Sequence, residues 1–327
     1  LEEKMDISDA VQGYLFAYKA EGFSIATIEN YERHLLVFCK YFPSRTIESI
    51  SIEDLRSFFT FLRDEYRPEH PGRKTIEFSQ ASHQFYWRAL RSFYRWCEKE
   101  LGIPNISMQL PRPHYKPPEI QPFTNEEVKA LLRACSRQKF DYMSRGKHIY
   151  VLPPNRLRDE AILSVLLDTG VRVGELTRIT VGDVDFSTGE IVVQPFSTGL
   201  KTKARRVYMG NVTRSTLWKY IISRKRKRGE PRSDDRLFLT NDGREMNRFV
   251  VRDVLRRLAA RSGVKNVHPH RFRHTAAVMY LRNGGDIFTL QRMLGHSSLN
   301  MVRYYLTLSD VDLQAKHRDV SPVDRLT

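Results

Sequence analysis

Cysteine is scarce in this 327-residue chain. Cys39, Cys97 and Cys135 are odd in number and widely spaced, which argues against a disulfide framework or a zinc ribbon and fits a reducing cytoplasm. Long apolar runs are missing too. The longest, residues 161–167 (AILSVLL), contains Ser164 and meets Asp168, far short of the roughly 18 residues a membrane span needs. The first ten residues, LEEKMDISDA, are acidic where a secretory leader is basic and then apolar. Because the chain opens on Leu1, a few residues are expected to precede it. Phosphate-cradling glycine signatures are absent: there is no GxGxxG, and no GxxxxGK followed by Ser or Thr. No cofactor is therefore expected. Internal repeats and low-complexity tracts are absent as well.

Apolar residues make up 41% of the chain, with 18 Phe, 15 Tyr and 3 Trp. That content excludes wholesale disorder, and the length predicts two domains. Charge is unevenly spread. Residues 1–100 hold 14 basic and 16 acidic side chains, whereas 101–327 hold 40 and 22. A net charge of +16 calls for a polyanionic partner, and nucleic acid comes before a membrane surface when no amphipathic anchor is seen.

The charge break coincides with a proline cluster. Pro104, Pro111, Pro113, Pro117, Pro118 and Pro122 are six of the fifteen prolines, and they predict a stiff linker over 104–122. Before it lie four helical stripes: Ile7, Val11, Leu15 and Tyr18; Ile28, Tyr31, Leu35 and Phe38 behind a Ser24 cap; Leu55, Phe58, Phe59 and Leu62; and Phe85, Leu90, Phe93, Tyr94 and Cys97. They read as a small helical bundle over 1–103. Arg88, Arg91 and Arg95 share one face of the fourth helix. That face is either solvated or laid against phosphates.

After the linker, Thr124-Asn125-Glu126-Glu127 starts a helix over about 124–136. Further helices are expected at 156–169, 211–225, 246–262, 270–282, 286–294 and 298–305. Residues 138–155 read as a loop. Segments 190–194 (EIVVQ) and 206–209 (RVYM) read as strands, with Gly199 marking the turn between them. The basic run 224–228 reads as a solvated or phosphate-touching loop rather than a targeting signal. Arg248, Arg252 and Arg256 repeat every four residues opposite Val250, Val251, Val254, Leu255 and Leu258. Such a basic stripe suits a DNA groove or its flanking phosphates, or else is simply solvated.

Four places carry groups suited to one reaction. In 168–176 (DTGVRVGEL), Arg172 offers a planar fork for a phosphate and Glu175 a carboxylate to orient it; the same spacing also makes an ordinary helix pair. Lys201 lies in the turn between the strands, where a lysine can reach DNA and protonate a leaving oxygen. A solvated hairpin is the bland alternative, and Lys203 competes. In 268–275 (HPHRFRHT), His270 and Arg273 fall on one helical face. His270 and His274 are also one turn apart, but without a carboxylate or cysteine pair, and beside Arg271 and Arg273, they make a poor metal site. Finally 294–299 (LGHSSL) precedes Arg303-Tyr304-Tyr305.

In this order, TGVRVGEL, a hairpin lysine, HPHRFRHT and LGHSSLNMVRYY resemble the catalytic domain of the tyrosine site-specific recombinases, the phage-integrase family. The resemblance spans about 120–310. The preceding bundle is similar to that family's core-binding domain, on helical pattern and on 27–31 (TIENY) and 89–94 (ALRSFY). The implied fold is mainly α with a small antiparallel β-sheet. A core-binding domain would cover 1–103, a catalytic domain 123–308 and a protomer-contacting tail 309–327. Position by position, Arg172 matches the first family arginine, Glu175 its supporting acid and Lys201 the hairpin lysine. His270 and Arg273 match the His-x-x-Arg pair, and His296 the position held by His or Trp. Tyr305 matches the nucleophile, with Tyr304 one residue off the family spacing. Leu200 departs from the polar residue many relatives carry there, and the hairpin is one residue short, which keeps Lys203 in play.

The resemblance implies an integrase or transposase that cleaves and rejoins double-stranded DNA at specific sites. It would act through a 3′-phosphotyrosyl intermediate and a Holliday junction, without metal or ATP. It also implies two domains that clamp the duplex, a monomer in free solution and a homotetramer on DNA. Accessory DNA-binding proteins are candidate partners, and the expected location is cytoplasmic, on the nucleoid. The chemistry has a physical basis. Attack on a phosphodiester builds charge that two arginines and one or two histidines can stabilise. A tyrosine of ordinary pKa about 10 needs a base and nearby cations; His270 is the candidate base and Lys201 the candidate acid. A type IB topoisomerase and a DNA-binding regulator on an inactivated scaffold are the other readings. Against the second, all six catalytic positions hold competent residue types.

Overall fold

The computed structural model describes residues 5–68, 78–115, 119–136, 138–144, 147–151, 153–195, 204–295 and 300–309. The chain separates into two compact units, one built on residues 1–119 and the other on 120–195 and 202–327.

The first unit is a bundle of α1 (Ile7–Ala20), α2 (Ile25–Tyr41), α3 (Ile52–Asp64) and α4 (Gln80–Leu101). Local chemistry sets the helix starts. Ser24 Oγ accepts from Thr27 N–H at 3.2 Å. Ser51 and Asp54 close a reciprocal box, each side chain accepting from the other's N–H at 3.1 and 2.9 Å. Ile7, Val11, Tyr14, Leu35, Phe38, Leu55, Phe58, Leu62, Leu90, Phe93, Tyr94 and Cys97 form the core, with Leu15, Tyr18, Tyr31 and Phe59 at its margin. Phe85, expected inside, is 45% exposed, and Tyr86 and Ala89 are buried instead. The reason is phase: steps of four and three residues back from Cys97 pass through Phe93 and Leu90 to Tyr86, not Phe85. The proline-rich segment begins as part of this bundle. Ile106–Gln109 forms a 3-10 turn, Leu110 is buried, and Gln84, Trp87 and Arg91 of α4 donate to the carbonyls of Pro113, Leu110 and Ser107.

The second unit starts with α5 (Asn125–Ser136), capped by reciprocal hydrogen bonds between Thr124 and Glu127. The stretch expected as a loop is an antiparallel hairpin, β1 (Gln138–Ser144) and β2 (Lys147–Val151), pairing Gln138 with Val151. Its sequence is rich in strand-forming types (Phe140, Tyr142, Ile149, Tyr150, Val151), and it is long for a structureless connection. At the centre lies α6 (Arg156–Thr169), with Ala161, Ile162, Leu163, Val165, Leu166 and Thr169 buried. A helix apolar on most sides must be surrounded, and α5, α8 (Asn211–Arg228) and α10 (Pro269–Arg282) pack around it. A one-turn helix, α7 (Val173–Leu176), follows.

Strands β3 (Val184–Asp185), β4 (Glu190–Val193) and β5 (Arg205–Tyr208) form an antiparallel sheet in that order, with Ile191 opposite Val207. The short β3 carries no sequence signal of its own. Asp185 makes its turn by accepting from Ser187 N–H at 2.7 Å. The basic run 224–228 is not a loop but the last turn of α8. Arg224 is buried there, donating to Leu237 O at 3.2 Å and Asp235 Oδ2 at 2.9 Å. The remaining helices are α9 (Arg248–Ser262), α11 (Ile287–Leu294) and α12 (Asn300–Ser309), the last running past its expected end at 305. No helix among the described residues is long and apolar enough to cross a membrane.

Candidate active site

The end of α6 delivers the first group. Gly170 sits in the left-handed region (φ 61°), where a Cβ would lie 2.8 Å from the Leu294 side chain, so only glycine closes this turn. Two residues on, Arg172 caps the N-terminus of α7. Its N–H donates to Glu175 Oε2 at 2.7 Å, and its Nη1 to Oε1 at 3.1 Å. Arg205, the first residue of β5, clamps the same carboxylate with Nη1 and Nη2 at 2.9 and 2.7 Å, and its Nε donates to Met293 O at 2.8 Å. Burial pushes the Glu175 pKa up, but the Arg205 and Arg172 hydrogen bonds and charges outweigh it and bring it to about 2. One ionised carboxylate thus holds two guanidiniums in fixed orientation. The Arg172 side chain stays 38% exposed.

Arg205 was not anticipated from sequence. A signal existed: residues 205, 207 and 209 share one face of a strand, and Val207 and Met209 are buried. An arginine on an inward face needs a carboxylate partner.

From α10 comes Arg273, buried, with Nη1 on Gly170 O at 2.8 Å and Nη2 on Leu294 O at 2.7 Å. Those carbonyls end α6 and α11, so the guanidinium meets the negative ends of two helices. Burial, then the Arg172 charge, lowers its pKa to about 10, which still leaves it cationic at neutral pH. His270, one turn earlier, is exposed. Burial of part of its ring, then Arg273, Arg252 and Arg172, shift its pKa down. In contrast, Arg271 faces away. It donates to Gln121 O, Lys265 O and Glu127 Oε2, and covers the Phe123 ring at 4.0 Å.

The two tyrosines of α12 have different fates. Tyr305 is 1% exposed, and its hydroxyl lies 2.7 Å from His274 Nδ1. Burial raises its pKa, while the Arg273 and Arg172 charges draw it back. Tyr304 is 36% exposed, and its hydroxyl accepts from Ile120 N–H at 3.3 Å. His274, weighed in the sequence only as a metal partner of His270, therefore meets a tyrosine. Among the described residues no group of three His, Cys, Asp or Glu is arranged to hold a metal ion.

Arg172, Glu175, His270, Arg273 and Tyr305 are thus gathered in one unit. Lys201, its competitor Lys203, His296 and residues 310–327 of the tail lie outside the described residues. On α9, Arg248, Arg252 and Arg256 are exposed opposite a buried Val251, Val254, Leu255 and Leu258. Arg252 lies near enough for its charge to lower the pKa of both His268 and His270, whereas Arg256 pairs with Asp253 at 3.1 Å. On α4, Arg88 and Arg95 are exposed. Arg91 is half-buried, its guanidinium over Trp87 at 5.2 Å and bonded to Ser107 O at 3.2 Å, so part of its role is to strap the 3-10 turn to the bundle.

A model described as "Phage integrase family" matches residues 121–311, and one described as "Phage integrase, N-terminal SAM-like domain" matches 11–101. Tyrosine recombinase XerC of Oceanobacillus iheyensis is 28% identical over 305 residues, covering 90% of each chain. Tyrosine recombinase XerD of Halalkalibacterium halodurans is 27% identical, covering 91% of this chain and 93% of its own. Two solved structures share the fold. A Tn1549 transposon integrase in complex with a circular intermediate DNA has a TM-score of 0.68 at 18% identity, covering 97% of this chain and 99% of its own. A lambda integrase dimer bound to a COC′ core site has a TM-score of 0.67 at 18% identity, covering 91% and 97%.

Proposed function

Since the chain belongs to the phage integrase family and is a tyrosine recombinase, we propose that Tyr305 cleaves and rejoins duplex DNA at specific sites through a 3′-phosphotyrosyl bond. The supporting observation is that Tyr305 is buried, with its hydroxyl 2.7 Å from His274 Nδ1 and its burial-raised pKa drawn back down by the Arg273 and Arg172 charges, while its neighbour Tyr304 is occupied by the Ile120 N–H. The scissile phosphate binds between Arg172 and Arg273. Glu175 and Arg205 keep the Arg172 fork oriented, so little reorganisation is needed when charge builds on the non-bridging oxygens. His270 and His296 add donors to that charge. Lys201 protonates the departing 5′ oxygen. The phosphotyrosyl bond stores the energy of the broken linkage, so rejoining needs no ATP. Arg252, with Arg248, Arg256, Arg88 and Arg95, contacts DNA phosphates. Exchange of both strand pairs runs through a Holliday junction in a homotetramer assembled by the tail.

Covalent capture tests this reading. Nicked duplexes with randomised arms are incubated with the wild type in EDTA without ATP, and the trapped sequences define the site. An adduct mapped by mass spectrometry to Tyr305 is expected. It should be lost in Tyr305→Phe, with DNA binding kept within a few-fold, and kept in Tyr304→Phe. An adduct on Tyr304, or cleavage that strictly requires magnesium, refutes it.

A further inference from the structure

We propose that His274 is a catalytic residue: its Nδ1 takes the Tyr305 hydroxyl proton as the phenolic oxygen bonds to phosphorus. This rests on the recombinase reading above and adds to it the destination of the nucleophile's proton, which the sequence had assigned to His270.

The geometry is direct. His274 Nδ1 and the Tyr305 hydroxyl are 2.7 Å apart, the reach a general base requires. The two rings come from different helices, α10 and α12, which pack against each other. At 1% exposure, Tyr305 has almost no access to bulk water as a proton acceptor. His270 is exposed, with its ring centroid 6.5 Å from that of His274, and the charges of Arg273, Arg252 and Arg172 act on it.

The ring must also be neutral to accept. The titratable and charged groups acting on His274 are His270 and Arg273 from α10 and His268 at its N-cap, with Tyr305 facing it from α12. Burial first, then the positive charge of that set, holds its pKa down to about 4, so at neutral pH the imidazole keeps a lone pair. A neutral ring with Nε2 protonated presents Nδ1 as an acceptor. The same surroundings make it a weak base in the free protein, which keeps the tyrosine un-ionised and unreactive. A DNA phosphate arriving beside Arg172 and Arg273 adds negative charge near the ring and stabilises the imidazolium when it is needed. The step balances. The bond from Tyr305 Oη to phosphorus forms, the bond from phosphorus to the 5′ oxygen breaks, and the leaving oxygen takes a proton from the acid assigned above, Lys201. The tyrosine proton resides on His274 until rejoining returns it.

The test measures adduct formation on the duplex trapped by the wild type, from pH 6 to 9, for wild type, His274→Ala and His274→Gln. DNA binding and thermal melting are followed in parallel. Both variants are expected to form the adduct at least about 10²-fold more slowly at pH 7, the scale of a lost general base. Their rates should climb more steeply with pH than the wild type as hydroxide takes over. Added imidazole should restore His274→Ala by tenfold or more. A variant rate within twofold of wild type overturns the proposal. So does recovery by His274→Gln, which can hydrogen-bond but not titrate, and so does a slow variant with an unaltered pH profile and no imidazole rescue, since these describe a purely structural histidine. If the wild type itself forms no tyrosyl adduct, the recombinase reading falls and takes this inference with it. A wild-type adduct with an unchanged variant rate sinks this inference alone.

Discussion

The two units of the chain differ in the charge they bury. Among the described residues, the first unit buries a single polar residue, Ser107, and fills its interior with Tyr14, Phe38, Phe58, Phe93 and Tyr94. The second buries Arg158, Asp159, Glu175, Arg224 and Arg273, together with four threonines. Burying charge is costly unless each ion finds partners, and each of these does. The contrast separates two uses of an interior. Aromatic packing holds a bundle together and leaves its charge outside, whereas a phosphoryl-transfer site needs cations fixed before the substrate arrives. Under the function proposed above, Arg273 meets that need and Arg205 holds Arg172 through Glu175, while Arg158 and Arg224 tie loops to the same core.

The largest expected effect sharpens the stability side of the contrast. Phe58→Ala removes a fully buried ring and should cost the first unit about 3–5 kcal/mol. Trp87 and Trp96 lie in that unit and Trp218 in the other, so denaturation followed with single-tryptophan variants reads the loss. An equal shift at Trp218 would show that the interiors are not independent.

Next comes the chemical side. Arg273→Ala should slow covalent cleavage by about 10²-fold or more, the scale for losing a preorganised charge-stabilising donor, and Arg273→Lys should recover little because it lacks the fork. Arg271→Ala, two residues away, should leave the cleavage rate within a few-fold and lower stability instead, since its guanidinium binds the start of the unit. Equal rate losses in quench-flow cleavage assays would erase the distinction between a cation built for the reaction and one built for the fold.

A smaller effect appears in acid. The Glu175 pKa, held at about 2, lies below its ordinary value of about 4.3. Its contribution to stability is therefore complete above about pH 4.3 and lost as pH falls toward 2. His274, at about 4, also lies below its ordinary value of about 6.5; it favours the folded state fully above that pH, and the benefit fades toward 4. The second unit should weaken in these two stages in pH-dependent urea unfolding, and Glu175→Gln should remove the lower one.

The smallest effect concerns the α4 arginines. Arg95→Ala should lower the slope of log affinity against log salt by about one, as for one phosphate contact. Arg91→Ala should change that slope less and stability more, because Arg91 already binds the Ser107 carbonyl. Identical slopes in salt-titrated binding would show that the strap role does not distinguish them.

Much of this molecule was legible before any coordinates. The helix expected at 156–169 is α6 at its observed bounds, because the apolar run 161–167 followed by a glycine at 170 is a local signal. Ser24 and Thr124 marked helix starts because caps are local chemistry. Phase errors such as Phe85 for Tyr86 arose where aromatics stand on neighbouring positions and several stripes fit. The hairpin at 138–151 was missed although its strand-forming residues signal it, because charged residues such as Lys139, Asp141 and Lys147 are interleaved with them and weaken the strand pattern.

The site divides along the same line. Residue type marked Arg172, Glu175, His270, Arg273 and Tyr305 as groups suited to phosphoryl transfer, and the resemblance to the family nominated them together and preferred Tyr305 to Tyr304. Only tertiary structure could decide how they are held. Nothing local in the sequence says that Arg205 of a strand edge clamps the carboxylate of α7. Nor does it say that Arg273 ends on the carbonyls of two other helices, or that His274 meets Tyr305 while Tyr304 turns to Ile120. These contacts join residues 21 to 184 positions apart. Such distances are closed by packing of apolar faces around α6, and the sequence records each face but not which face it will meet.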